Sequence, residues 1–377
     1  MIKMKTMQFA LIDENRYADE MTHVVEPALA ACCETGWFDP SCAERDAGLD
    51  PLPAGATPFE RPGADASGHD GTLRYRRYDA AKFDLRREDG ASAVFRGAIV
   101  ISHGFTEFGV KYSELVWYFL LAGYSVCVLD HRGHGASARD VPDTNTVWID
   151  DWRRYVADLA AFAQSVGRPA ADGQPLYLFC HSMGGGIGAA VLERYPDVFD
   201  KAVLSAPMIA PATGVPNWLA RAAAEVACGI GLGQSRVPGQ ARFDEDLDLS
   251  QHPYTNHERE RWYHRLRCEH VEYQTYGATF QWVREALRLS AAVLSPKSCA
   301  RVETPLLLFQ AGRDVWVLNE PQNRFVERVR ASGGEAWLER VAESEHEIFA
   351  MPNAVLGPYL ERILDFYAEP LGELGGD

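Results

Sequence analysis

The chain has 377 residues, 47% of them hydrophobic and 24% charged, the composition of an ordinary globular protein long enough for one large domain carrying an insertion. A formal net charge of −16 sets its surface against nucleic acid and against an anionic bilayer, which leaves only local, mainly apolar contact with a membrane. Eight cysteines with no C-x-x-C pair do not make a disulfide framework and suit a reducing cytoplasm.

Residues 1–70 show weak periodicity. The apolar run at 7–12 is too short for the core of a signal peptide and is closed by Asp13 and Glu14, and the segment ends in DPLPAGATPFERPGADASG. An irregular N-terminal segment laid over the surface is expected. The longest apolar run, 116–129, falls short of the roughly 20 residues a spanning helix needs and is interrupted by Gly123, so neither secretion nor a transmembrane anchor is expected.

Residues 72–78 alternate as a half-buried strand does. From Gly97 onward, short apolar runs at 98–102, 124–129, 176–180, 201–205 and 305–310 read as buried strands. Amphipathic helical stretches at 113–122, 148–165 and 184–194 lie between them. This alternation predicts an α/β fold with a mostly parallel central sheet and helices on both faces. The rhythm breaks after residue 207. Apolar helical stretches at 215–230 and 280–294 flank a charged one at 256–272, which predicts a helical cap over 208–300. The first part of the core then covers 71–207, and its second part 301–377 ends in a helix near 355–367.

The stretch LFCHSMGGG, 178–186, is a strand running into a helix, nearly G-x-S-x-G but with Cys180 in place of the first glycine. Such a turn lifts the Ser182 hydroxyl out of the sheet, and the positions two before and two after it must be small. Gly184 meets that demand, and Cys180 meets it with some strain. Taken alone, the stretch is also readable as a buried strand end before a glycine-rich helix start. A serine nucleophile needs a base, and the base an orienting carboxylate, in the chain order Ser, acid, His for α/β-hydrolases. His346, in ESEHEIF after the strand-like 336–341, is the candidate base, and Asp314, at the end of PLLLFQAGRD, the candidate acid. Glu343 and Glu345 on the histidine's own loop are the alternative acids. The oxyanion would meet two backbone N–H groups, that of Met183 at the helix start and that of Phe105 in the HGF loop.

His103 and His181 read as structural, and Cys180 as part of a buried strand. DHRGHGAS, 130–137, reads as a structural turn. His257, His264, Cys268 and His270 in the cap read as a solvated helix rather than a zinc set, and no metal or cofactor is expected. Trp218, Leu219, Ala222, Val226 and Ile230 share a helix face that either lines an acyl tunnel or packs on the core.

HGF, DHRGHGAS, HSMGG, AGRD and SEHEI, in that order, resemble the α/β-hydrolase superfamily. Within it the chain is similar to the PldB-type lysophospholipase and monoacylglycerol lipase group of serine aminopeptidase S33-like hydrolases. YTNHERERWYHR and YGATFQWVREAL resemble that group's cap, and the likeness runs from about 97 to 367. The resemblance implies a triad of Ser182, Asp314 and His346 with oxyanion donors Phe105 and Met183. It also implies tolerance of another small residue at Cys180. The implied activity is hydrolysis of fatty-acyl esters, with a lysophospholipase first. A monoacylglycerol lipase or small-ester carboxylesterase comes next, then a proline-type aminopeptidase, and last a silent ligand-binding fold. The expected partners are a lipid or ester substrate and no nucleic acid, with weak peripheral membrane contact through the cap. The expected location is the cytoplasm, extending to the inner face of the membrane. Head-group preference, acyl length and oligomeric state stay open.

Overall fold

The structure is a computed structural model and describes residues 7, 9–49, 71–84, 93–141 and 143–370. Its strands are β1 Cys33–Phe38, β2 Leu73–Tyr78, β3 Gly97–Ser102, β4 Tyr124–Leu129, β5 Thr146–Val147, β6 Leu176–His181, β7 Lys201–Ser205, β8 Gly277–Ala278, β9 Leu306–Ala311 and β10 Ala336–Val341. Eight of them form one sheet in the order β1-β2-β4-β3-β6-β7-β9-β10, while β5 and β8 form a separate two-stranded sheet. From β4 to β10 every pairing is parallel, and β2 joins β4 and β1 antiparallel. The mostly parallel sheet expected from the alternating pattern is therefore present, with an antiparallel edge.

Strands β3, β4, β6, β7 and β9 are buried along their whole length, because helices cover both faces and leave no wet side that would demand alternation. One core gathers Tyr155, Ile187, Leu289 and Phe325 against one face, and the other gathers Val116, Phe119, Leu360 and Ile363 against the opposite face.

The N-terminal segment departs from the irregular chain expected over 1–70. Residues 14–32 are a run of short helical pieces, and β1 extends the sheet. Tyr17, Met21, Val25 and Leu29 recur every fourth residue, which puts them on one helix face, and that face is buried in the second core. The Pro/Gly-rich stretch at 50–68 lies outside the described residues.

Within 208–300 the main helices are Asn217–Gly229, His257–Glu269 and Phe280–Val293. Neither reading of the Trp218 face holds. Trp218 is 73% exposed, Val226 64% and Ile230 70%, and Leu219 is also exposed. The first cap helix is buried through Ala224 and Ala227 instead, whose small side chains allow a close approach and turn the bulky face to solvent. The charged stretch is less solvated than expected: Arg259, Glu260, Trp262, Leu266 and Arg267 of His257–Glu269 are buried. Among the described residues no helix is long and apolar enough to cross a membrane. All eight cysteines are free thiols.

Candidate active site

Strand β6 ends at His181 and the helix Met183–Arg194 begins at once, so Ser182 alone makes the turn. Its backbone sits at φ 51°, ψ −119°, a left-handed conformation costing a residue with a side chain about 1–3 kcal/mol. Backbone hydrogen bonds hold it there. Ser182 N–H donates to the Ser205 carbonyl at 3.2 Å, and the Ser182 carbonyl accepts from Gly185, Gly186 and Met208. A Cβ on Gly184 would lie 2.1 Å from the Ser102 carbonyl oxygen, so glycine is obligatory there.

Position 180 follows a different logic from the one expected. The neighbour that makes room for the Cys180 thiol is Gly188, whose added Cβ would fall 2.4 Å from Sγ, and not Gly184. Gly184 packs on the backbone of β3. Cys180 is fully buried, and burial pushes its thiol well above the usual range, which keeps it protonated and unsuited to act as a nucleophile.

Three residues far apart in sequence meet above the sheet. His346 Nε2 lies 2.8 Å from Ser182 Oγ, and its Nδ1 lies 2.7 Å from Asp314 Oδ2. A carboxylate only accepts, so Nδ1 carries the ring proton and Nε2 is free to accept the Ser182 hydroxyl. The other Asp314 oxygen, Oδ1, accepts the N–H groups of Trp316 and Val317 at 2.9 and 3.0 Å, which fixes the carboxylate on the turn after β9. The Asp314 side chain is fully buried and that of His346 is 11% exposed, so the pair is nearly dry while the histidine stays accessible. Glu343 is exposed, and the carboxylate on His346 is that of Asp314.

Met183 opens its helix, where the first N–H groups have no intrahelical acceptor. Phe105 sits in the loop after β3. Its ring lies 4.0 Å from that of Trp282 in the cap, and the preceding Gly104 N–H donates to Glu107 Oε2 at 2.6 Å. Beside Met183 lies a mainly apolar cavity of about 10 Å³ lined by Trp152, Ile187, Met208, Trp282 and Leu289, with Tyr155 and Glu285 also on its wall. That is room for roughly one water.

The profile of the family described as serine aminopeptidase, S33, matches residues 94–352. The chain belongs to this S33 family. Lysophospholipase L2 of Escherichia coli K12 is 31% identical over 283 residues, 71% of this chain and 79% of that one. A monoacylglycerol lipase of Mycolicibacterium smegmatis is 38% identical over 122 residues, 32% of this chain and 41% of that one. The structure of a soluble variant of monoglyceride lipase from Saccharomyces cerevisiae, in complex with a substrate analog, superposes with a TM-score of 0.60. It covers 85% of this chain and 98% of that chain at 18% identity, a likeness of fold.

In this S33 chain the remaining histidines of the motifs are built into the scaffold. His103 Nε2 accepts the His131 N–H at 2.9 Å while Nδ1 donates to the Gly104 carbonyl at 2.8 Å, and burial lowers its basicity. His131 Nε2 meets Ser102 Oγ at 2.8 Å. DHRGHGAS is a turn held from within: Asp130 accepts from Gly109 and Ala136, and Arg132 pairs with buried Asp158. His181 packs its ring 4.8 Å from that of His346, and burial pushes it down to about 4, so it stays neutral. In the cap, His264 meets the Glu245 carbonyl and His257 is exposed. Those residues do not form a ligand cluster. Among the described residues, the one group of three or more side chains placed to ligate a cation is Glu107, His181 and Glu347, within 4.8 Å of one another.

Glu107, Lys111 and Glu347 are not among the residues that the sequence motifs single out. Lys111 Nζ donates to both carboxylates and lies 4.1 Å from the Tyr263 ring. The four-residue spacing of Glu107 and Lys111 was a visible signal for the first pair. Nothing in the sequence pointed to Glu347.

Proposed function

We propose that the chain is a serine carboxylic-ester hydrolase acting on fatty-acyl esters, and first of all a lysophospholipase. The observation that carries this is the Ser182–His346–Asp314 chain of hydrogen bonds at 2.8 and 2.7 Å. Likeness to lysophospholipase L2 over 71% of the chain supports the substrate class.

In the reaction, Ser182 Oγ attacks the ester carbonyl carbon as its proton passes to His346 Nε2. The Asp314 carboxylate stabilises the imidazolium that forms. The carbonyl oxygen becomes an oxyanion against the N–H groups of Phe105 and Met183. Collapse breaks the ester C–O bond, and His346 gives its proton to the departing glycerol oxygen. Water then attacks the acyl-Ser182 carbonyl with the same histidine as base, and fatty acid leaves. The small cavity beside Met183 is the place offered to the acyl chain.

Monoacylglycerol lipase activity is the second reading, favoured by the 38% identity with the mycobacterial enzyme. A panel of lysophospholipids, monoacylglycerols and short esters separates the two. For either, Ser182→Ala should lower turnover of a medium-chain ester by at least about 10⁴-fold with the fold intact, and abolish labelling by a fluorophosphonate. A variant that retained the wild-type rate would remove Ser182 from the reaction. The outward apolar face of Asn217–Gly229 is the part of the cap that meets the surface of a lipid aggregate, through exposed Trp218 and Val226.

A further inference from the structure

We infer that Lys111 is a positioning residue whose buried side chain ties the loop carrying Phe105 to the loop carrying His346. The inference rests on the roles proposed above for Phe105 and His346. Lys111 Nζ donates to Glu107 Oε1 at 2.8 Å and to Glu347 Oε1 at 2.5 Å, across a sequence separation of 236 residues. The second oxygen of Glu107 accepts the Gly104 N–H at 2.6 Å and the Tyr112 hydroxyl at 2.5 Å. Gly104 immediately precedes Phe105, and Glu347 immediately follows His346. One ammonium thus stands between the segment that presents an oxyanion donor and the segment that presents the base.

Burial makes the Lys111–Glu107 half of this link stiff, since those side chains are 4% and 5% exposed, while Glu347 is 25% exposed and lines a cavity of about 30 Å³ together with Lys111. Burial opposes ionisation of Glu107, yet the Lys111 ammonium and the hydrogen bonds from Lys111 and Tyr112 hold its carboxyl well below the usual range. Against the free side of Lys111 lie the Tyr263 ring of the cap helix, 4.1 Å away, and Phe349, 5.6 Å away. Glu107, His181 and Glu347 could chelate a cation, and the cation between the two carboxylates is this ammonium.

The link bears on steps that exist only in the transition state. An oxyanion donor and a base both act after substrate is bound, so loosening their spacing lowers kcat and leaves KM nearly alone. A misplacement of about 1 Å at such a centre costs up to about 10²-fold.

The test uses the full chain and a medium-chain ester. Lys111→Met should lower kcat by about 10- to 100-fold with KM within about twofold. Glu347→Ala, which leaves the Lys111–Glu107 pair whole, should lose less, about 3- to 10-fold, while Glu347→Gln keeps an acceptor oxygen and most of the rate. The double variant Lys111→Met/Glu347→Ala should be no slower than Lys111→Met alone, because the link is already cut. A folded Lys111→Met with kcat within twofold of wild type overturns the inference, and so do losses that simply multiply in the double variant. If Lys111→Met does not fold, the Glu347 pair decides: Ala slowed and Gln spared supports the link, and equal rates overturn it. Ser182→Ala keeps the two claims apart. Activity surviving there sinks the underlying reading, whereas an inactive Ser182→Ala beside a wild-type-like Lys111→Met sinks only the role of Lys111.

Discussion

Gly188 sets the width of the slot that receives the Cys180 side chain at the end of β6, since a Cβ there would come within 2.4 Å of Sγ. Cys180→Leu adds two heavy atoms where there is no space, next to the strained Ser182 turn. Overpacking of this kind costs about 1–3 kcal/mol, and here it should also lower kcat by displacing Ser182. Cys180→Gly should keep activity within a few-fold at a modest loss of stability. Gly188→Ala should destabilise alone and be rescued by Cys180→Gly, a non-additive pair in urea denaturation. A wild-type denaturation midpoint and rate in Cys180→Leu would refute the assignment of that slot. At this scale the motifs pointed to Ser182, Asp314 and His346, three residues that the structure brings within hydrogen-bond distance of one another. The sequence was silent about which glycine faces Cys180, because that depends on where the helix Met183–Arg194 lands on β6.

Arg259 shows how elements are fastened. From the cap helix His257–Glu269 it donates to Glu114 of the helix Ser113–Leu121 at 2.7 and 2.8 Å, to Glu14 at 3.2 Å, to the Met351 carbonyl and to Asn353. Glu114 also accepts the hydroxyls of Tyr17 and Tyr118, so one buried ion pair joins the helices His257–Glu269, Ser113–Leu121 and the N-terminal helical run. Arg259→Met leaves Glu114 buried without its cation and should cost about 3–5 kcal/mol in denaturant unfolding. Adding Glu114→Leu should recover part of that loss, and a cost below about 1 kcal/mol for Arg259→Met would show that the pair fastens nothing. Elements repeat the lesson of legibility with a physical reason. Periodicity tells which residues share a face and not what the face meets, so the Tyr17, Met21, Val25, Leu29 stripe was available yet unread, and the Trp218 stripe was read yet points outward. Strand β1, CETGWF, carries no alternation to read, because its side chains are half-buried or exposed without a period of two.

The whole molecule carries a formal charge of −16 and yet exposes several large apolar side chains, two of them next to Asp314 in sequence. Val315 and Trp316, 73% and 64% exposed, follow Asp314 directly. The start of the cap segment is bonded to them, through Ala212 N–H on the Trp316 carbonyl and the bridge between Pro211 and Val317. Trp218 on the helix Asn217–Gly229 and Ile230 just after it are also exposed. Burial of such side chains favours contact with a lipid surface at roughly 25 cal/mol per Å², while the overall charge opposes approach to an anionic one. The two terms differ in their response to salt. Zwitterionic vesicles should therefore bind the protein with little dependence on ionic strength. Vesicles rich in anionic lipid should bind it poorly at 0.01 M salt and nearly as well at 1 M, as the screening length shrinks from about 30 to about 3 Å. Trp218→Ser combined with Trp316→Ser should weaken binding to both while leaving the hydrolysis rate of a short, water-soluble ester unchanged within about twofold, because both rings are largely exposed and serine keeps the residue-316 N–H that Asp314 accepts. Co-sedimentation across a salt series measures all of this. Tighter binding to anionic vesicles at low salt, or wild-type binding by the double tryptophan variant, would rule out the apolar face as the surface that meets lipid.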